Sequence, residues 1–215
     1  MLFRSPQPVR SFNDVYETAW KSVFWIDTPS GRGTAWLLEP GLIVTAQHVV
    51  GSRTTVTVRQ SGNPVFLASV VAVDVPRDIA LLSYSTRTTE LPYGTVPFTL
   101  GHVSWRDIAI PMMALGYSGD IGVQSDGSVG SVPANVGVLT GFINRRTRTS
   151  PILNLVIDTP IDSGDSGGPV LNLEGKLVGM LGAIIVGEIG THYAVHVDEI
   201  RDALVELRSG NSRSR

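Results

Sequence analysis

Gly164-Asp165-Ser166-Gly167-Gly168-Pro169-Val170 sets a single serine among glycines. Glycine reaches backbone conformations that other residues rarely adopt, so this run can close a tight turn. Such a turn can aim the N–H groups of Gly164 and Ser166 at one point beside the Ser166 hydroxyl. A serine hydroxyl is a weak nucleophile until a base removes its proton. A pair of convergent N–H groups is what a developing oxyanion needs. The turn therefore calls for an imidazole, the base suited to neutral pH, and a carboxylate to orient it.

Upstream, two segments carry those groups. Gly31-Arg32-Gly33-Thr34-Ala35-Trp36 leads into Gly41-Leu42-Ile43-Val44-Thr45-Ala46-Gln47-His48, where His48 follows a strand-like run. Asp74-Val75-Pro76-Arg77-Asp78 precedes Ile79-Ala80-Leu81-Leu82 and offers two carboxylates, Asp74 and Asp78, at the start of another strand. Singly, each feature is ordinary: a histidine after a strand, an aspartate in a turn, a serine in a glycine-rich loop. Together they supply nucleophile, base and acid from three distant segments.

The rest of the chain suits a β-rich protein. Short β-branched runs recur at Leu42–Val44, Thr54–Val58, Phe66–Val73, Ile79–Leu82, Ile152–Ile157 and Leu177–Leu181. The 23 glycines and 13 prolines punctuate them as turns. This spacing points to antiparallel barrels or a sandwich rather than βαβ units. Helical spacing is confined to the two ends. Ser11 to Phe24 reads as a short helix capped by Ser11, with Asp14 three residues on. Residues 198–208 read as a second helix with Ile200, Leu204 and Leu207 on one face. Residues 209–215 are small, polar and basic, and are expected to form a flexible tail.

Composition narrows the function. With 42 % hydrophobic and 17 % charged residues among 215, the chain can bury a core. A net charge of −2 gives no basic field for nucleic acid or an anionic membrane. Arg145, Arg146 and Arg148 read as a solvated loop. The absence of cysteine excludes disulfides and thiolate metal sites. The first residues have no signal-peptide core, and no run approaches a membrane span. As written, the chain is expected in the cytoplasm. Gly119 to Gly130 is glycine-rich but lacks the Gly-Lys-Ser/Thr ending of a phosphate loop, so it reads as a surface loop.

The order His48, Asp78, Ser166 and the Gly-Asp-Ser-Gly-Gly-Pro run resemble the chymotrypsin-like serine peptidases. The stretches Gly31–Thr34, Thr45–Val49, Asp74–Ala80 and Ala114–Ser118 are most similar to HtrA-type peptidase domains. The resemblance spans about Val15 to Leu207. It implies two antiparallel β-barrels, residues 23–105 and 106–197, within one peptidase unit, with both helices outside. By motif position Asp78, not Asp74, takes the acid role. Gly164 and Ser166 form the oxyanion hole, and no metal or organic cofactor is required. The partner is a protein or peptide substrate, with a sensor or regulator protein as a further partner if the chain serves as an effector module.

Two departures from relatives matter. As written, the sequence shows no PDZ-like pattern after Leu207, so the regulated-oligomer behaviour of many HtrA-type proteins is not expected of it. Asp165 stands where HtrA-type sequences usually carry Asn. In trypsin-type enzymes that aspartate pairs with a new N-terminus, yet no matching activation site is present. A buried carboxylate needs a partner, so Arg145 or Arg146 is expected to pair with Asp165. The resemblance also places the specificity pocket. Pro160 is its base, Leu181-Gly182-Ala183-Ile184 is one wall, and Thr191-His192-Tyr193-Ala194 is the other. With no carboxylate at the base, and with Ile184 and Thr191 across the mouth, cleavage is expected after small aliphatic residues.

Overall fold

Two closed six-stranded antiparallel barrels stand side by side in the computed structural model. The structure describes residues 11–29, 31–118, 129–147, 150–182 and 192–214, with the side chain of Arg146 excluded. The first barrel comprises β1 (Val23–Thr28), β2 (Gly31–Glu39), β3 (Leu42–Ala46), β4 (Thr55–Arg59), β5 (Phe66–Asp74) and β6 (Ile79–Ser83). Its strand order is β1-β2-β3-β6-β5-β4, and pairing of Ile26 with Val58 closes it. The second comprises β7 (Pro111–Leu115), β8 (Ala134–Arg146), β9 (Pro151–Ile157), β10 (Pro169–Leu171), β11 (Leu177–Leu181) and β12 (His192–His196). Its order is β10-β11-β12-β9-β8-β7, closed where Val170 pairs with Ala114.

Each barrel is filled by the inward residues of its strands. Phe24, Ile26, Trp36, Ile43 and Leu81 are buried in the first, and Met112, Leu139, Leu155, Ile157 and Met180 in the second. Closure pairs each strand with a neighbour on both sides along most of its length.

The helices pack outside. The N-terminal helix α1 (Phe12–Ala19) has the expected capping box, with Ser11 and Asp14 bonding each other's backbone N–H. It is shorter than the sequence suggests. A single 3₁₀ turn, Trp20–Ser22, follows, and Val23 already belongs to β1, because its side chain is needed in the barrel core. The short helix α2 (Gln47–Val50) follows β3 directly and carries His48. The C-terminal helix α3 (Val197–Leu207) buries Ile200, Ala203, Leu204 and Leu207. Its N-cap is His196, whose Nδ1 accepts the N–H of Asp198 at 3.0 Å. Burial lowers the His196 pKa and keeps the ring in the neutral form that can accept this bond.

The tail departs from expectation. Instead of trailing away, Arg213 forms a parallel bridge with Asp74, donating to Val73 O at 2.8 Å and accepting from Val75 N at 2.9 Å. The end of β5 offered unpaired backbone groups, and the tail satisfies them. Most of the glycine-rich segment from Gly119 lies outside the described residues.

Candidate active site

The Ser166 loop lies between the barrels, and its glycines are there because nothing larger fits. A Cβ on Gly164 (φ +103°) would collide with Tyr117 O, and one on Gly167 (φ +88°) with Thr34 O. A Cβ on Gly168 would strike Leu115 O. Three backbone amides of the loop are used internally or against β11: Asp165 N to Asp162 O, Gly167 N to Leu181 O, and Gly168 N to Asp165 O. The N–H groups of Gly164 and Ser166 donate to no backbone acceptor among the described residues. The loop thus leaves unbonded the pair of donors named from the sequence.

Strand β2 of the other barrel holds this loop. Thr34 N donates to Ser166 O at 2.8 Å. The Thr34 hydroxyl, fully buried, donates to Gly164 O at 2.8 Å and accepts from Tyr117 N at 2.9 Å. Thr45 Oγ1 donates in turn to Thr34 O at 2.6 Å. Gly33 brings α2 close, since a Cβ there would press on both Val49 and Ser166 O.

His48 and Asp78 meet at the opposite lip. Asp78 Oδ2 lies 2.7 Å from His48 Nδ1, and Asp78 Oδ1 accepts the His48 backbone N–H at 2.9 Å. One carboxylate therefore fixes both the ring and the chain that bears it. The hydrogen bond to Asp78 holds the His48 pKa above its ordinary value of 6.5, against the opposing effect of burial. The imidazole remains 40 % exposed, open toward the cleft. The Ser166 hydroxyl donates to Gly182 O at 3.4 Å, a long bond, and makes no hydrogen bond to His48. Asp74, the competing carboxylate, is engaged elsewhere, pairing with Arg77 at 2.9 Å.

Residues 33–180, which contain His48, Asp78 and Ser166, match the family description "Trypsin-like peptidase domain". The chain belongs to the trypsin-like peptidase domain family. It is 28 % identical over 197 residues to the mitochondrial serine protease HTRA2 of Bos taurus, covering 86 % of this chain and 38 % of that one. It is 27 % identical over 186 residues to a probable periplasmic DegP-like serine endoprotease of Halomonas elongata, covering 82 % and 35 %. The chain thus spans little more than a third of the length of these relatives. In fold it is similar to the active form of the Rv3671c protease of M. tuberculosis, with a TM-score of 0.74, 22 % identity, and coverage of 96 % of this chain and 93 % of that one. No helix among the described residues is long and apolar enough to cross a membrane.

The peptidase domain corrects one expectation. Arg145 does not reach Asp165; its guanidinium donates to Pro76 O at 2.9 Å, on the turn before Asp78. The Arg146 side chain lies outside the described residues. Asp165 is 2 % exposed, its Oδ2 accepting the Asp162 N–H at 2.9 Å and its Oδ1 left without a hydrogen bond. Burial pushes its pKa up to about 6, and the Asp162 N–H and the Ser118 side chain offset only part of this. With Arg145 engaged at Pro76, the raised pKa favours the protonated form of this carboxylate.

The expected specificity pocket is described only in part. Pro160 is exposed, and its carbonyl accepts from Asn135 Nδ2 at 3.1 Å. Gly182 lies beside the Ser166 hydroxyl. Ala183, Ile184 and Thr191 lie outside the described residues. A cavity of about 160 Å³ is lined by Asp78, Gly182 and Tyr193, which the sequence reading named, and by Ile143, Arg145 and Asn154, which it did not assign to a pocket. Thr34 and Thr45 were missed as well. Both sit inside quoted motifs, but the partners of a buried hydroxyl are set by the tertiary fold.

Proposed function

We propose that this chain is a serine endopeptidase in which Ser166 is the nucleophile, His48 the general base and Asp78 the orienting acid. The observation that carries the reading is the 2.7 Å His48–Asp78 pair facing a glycine-built serine loop with two unbonded N–H groups. Ser166 Oγ turns from Gly182 O toward His48 Nε2 when a peptide enters, and catalytic hydrogen bonds that are absent in the free protein form at that stage. Its oxygen attacks the carbonyl carbon as His48 takes the proton. Nδ1–H of the resulting imidazolium donates to Asp78 Oδ2. The carbonyl oxygen, now negative, receives the N–H groups of Gly164 and Ser166. His48 returns the proton to the departing amine, and water repeats the cycle on the acyl-enzyme.

Substrate choice is proposed to favour Ala or Val before the scissile bond. Proline at position 160 offers no carboxylate to a basic side chain, and Ile184 and Thr191 are branched residues expected at the mouth. Such a pocket discriminates mainly by size, with each methylene worth about 1–3 kcal/mol.

One observation favours a second reading. The Ser166 hydroxyl bonds Gly182 O rather than His48, as it would in a peptidase-like module that grips peptides without cutting them. Fluorophosphonate labelling separates the two. The endopeptidase reading expects stoichiometric labelling at Ser166 that disappears in His48→Ala. A folded protein that stays unlabelled overturns it.

A further inference from the structure

The turn that delivers Asp78 is held from several directions, mostly by groups remote from the serine loop. Asp78 has φ +60°, a left-handed conformation that is uncommon outside glycine and that its surroundings must enforce. One residue earlier, Arg77 is the hub of a partly buried network. Its N–H donates to Asp74 Oδ1 at 3.0 Å, and its guanidinium meets Asp74 Oδ2 at 2.9 Å and Glu199 Oε2 at 2.8 Å. Glu199 lies in the first turn of α3, and its other oxygen accepts from Leu153 N on β9 at 3.0 Å. The side chains of Asp74, Arg77 and Glu199 are 3 %, 15 % and 17 % exposed, so solvent screens the network little.

The chain end closes the arrangement. Residues 212 and 213 run beside the end of β5. Val73 N donates to Ser212 Oγ at 3.1 Å, Arg213 N to Val73 O, and Val75 N to Arg213 O. From the second barrel, Arg145 holds Pro76 O. Every residue from Val73 to Arg77 is thus tied to another residue by backbone or side chain just before the chain turns left-handed at Asp78.

We propose that Arg77 and the C-terminal strap Ser212–Arg213 are positioning elements of the peptidase, holding the Val75–Asp78 turn in the conformation that presents the Asp78 carboxylate to His48 through both oxygens. This rests on the Ser166–His48–Asp78 reading above. None of these groups touches substrate; they act through Asp78. The two-oxygen contact is sensitive, because a displacement of about 1 Å in that carboxylate breaks both bonds at once and costs roughly 10- to 100-fold in turnover. Among the described residues the charged groups facing this turn are Asp74, Glu199 and Arg145, with Asp202 and Glu206 of α3 and Arg213 lining the cavity beside Asp74 and Arg77. Removing Arg77 leaves Asp74 and Glu199 uncompensated, and added negative charge alone would raise the His48 pKa, so a fall toward 6.5 reports the lost geometry of the Asp78 carboxylate and not the change in net charge.

The test is the titration of the His48 ring by NMR in the Ser166→Ala protein, its signal assigned by its loss in His48→Ala. Kinetics are run in parallel with Ser166 intact. Arg77→Met and Arg213→Pro, the latter lacking the N–H that Val73 O accepts, are each expected to bring the raised His48 pKa down toward 6.5. Each should lower kcat about 10-fold or more with KM unchanged, and Arg77→Lys should restore part of both. Arg208→Gln, which breaks the exposed Arg208–Glu39 pair, should change neither. If Arg77→Met does not fold, Glu199→Gln and Arg213→Pro carry the same test. A His48 titration unchanged in the folded variants overturns the proposal. Because the titration needs no turnover, it stands even if Ser166 proves unreactive, an outcome that would count against the endopeptidase reading alone.

Discussion

Replacing Asp165 by Asn should stabilise this protein at neutral pH, and by an amount that depends on pH in a defined way. Asp165 is 2 % exposed and has no cationic partner among the described residues, and burial lifts its pKa from 3.8 to about 6. The folded state therefore prefers the neutral acid, whereas the unfolded chain ionises freely. Above about pH 6 the folded protein carries the full penalty: about 2 units at 1.36 kcal/mol per unit, or roughly 3 kcal/mol. The penalty fades as pH falls through the folded value toward the unfolded one, leaving about 1 kcal/mol at pH 4.5. Asn removes the charge while keeping an oxygen for the Asp162 N–H. Its amide inherits the Oδ1 position against Gly116, which already lacks a partner, so the gain should be about 2–3 kcal/mol at pH 8. For a chain of this size that is a rise in Tm of roughly 4–10 °C. Thermal unfolding of both proteins from pH 4 to 8 gives the comparison. A destabilised Asn variant, or a difference that does not vary with pH, would show that the carboxylate is paired and would refute the reasoning.

The remaining predictions concern the cleft. Ser166→Ala and His48→Ala should each abolish nearly all hydrolysis, and the double variant should be little worse, because the two act as a unit. Asp78→Asn should lower turnover about 10⁴-fold through the wrong imidazole tautomer, with Asp74→Asn far milder; the reverse order would reassign the acid. The acid limb of the pH–rate profile should lie above 6.5, since His48 works as a base only when neutral and Asp78 raises its pKa; a limb below 6.5 would contradict the observed pair. Gly167→Ala should fail to yield soluble folded protein, because φ is +88° and the new Cβ would meet Thr34 O; a Tm within a few degrees of the parent would mean that the loop can move away from β2.

The sequence made the chemistry legible because the chemistry resides in residue types: a glycine-set serine, a histidine after a strand, an aspartate before one. It made barrels legible wherever strands are runs of β-branched residues, as in β3, β5, β6, β9 and β11. It hid β2 and β8, whose glycines and arginines break such runs although closure requires both strands. The tail was misread for a similar reason. Ser212 and Arg213 are polar and give no periodic signal, and what orders them is the unpaired backbone at Val73 and Val75, a property of another segment. Spacing alone suggests Arg145 as a partner of Asp165, and spacing does not say which side of the barrel a strand residue faces; the structure turns Arg145 to Pro76 O instead.

Each barrel supports the other's share of the site. The serine loop belongs to the second barrel, yet Thr34 of the first holds it through Gly164 O and Ser166 O. Asp78 belongs to the first barrel, yet Arg145 on β8 and Glu199 bonded to β9 restrain the turn that carries it. The distance from Ser166 to His48 is therefore set by how the barrels dock, not by either barrel alone. A substitution that loosens the docking, such as Thr34→Val, would leave both hydrophobic cores intact and still separate the nucleophile from its base. It would also strand Gly164 O and Tyr117 N without their shared hydroxyl, at a cost of about 1–3 kcal/mol for each buried group left unpaired. For such a variant, loss of activity should precede loss of secondary structure as temperature rises, with far-ultraviolet circular dichroism reporting the barrels and labelling of Ser166 reporting the cleft. Coincident transitions would mean that the barrels fold and fail as one unit, and that Thr34 serves the core rather than the site.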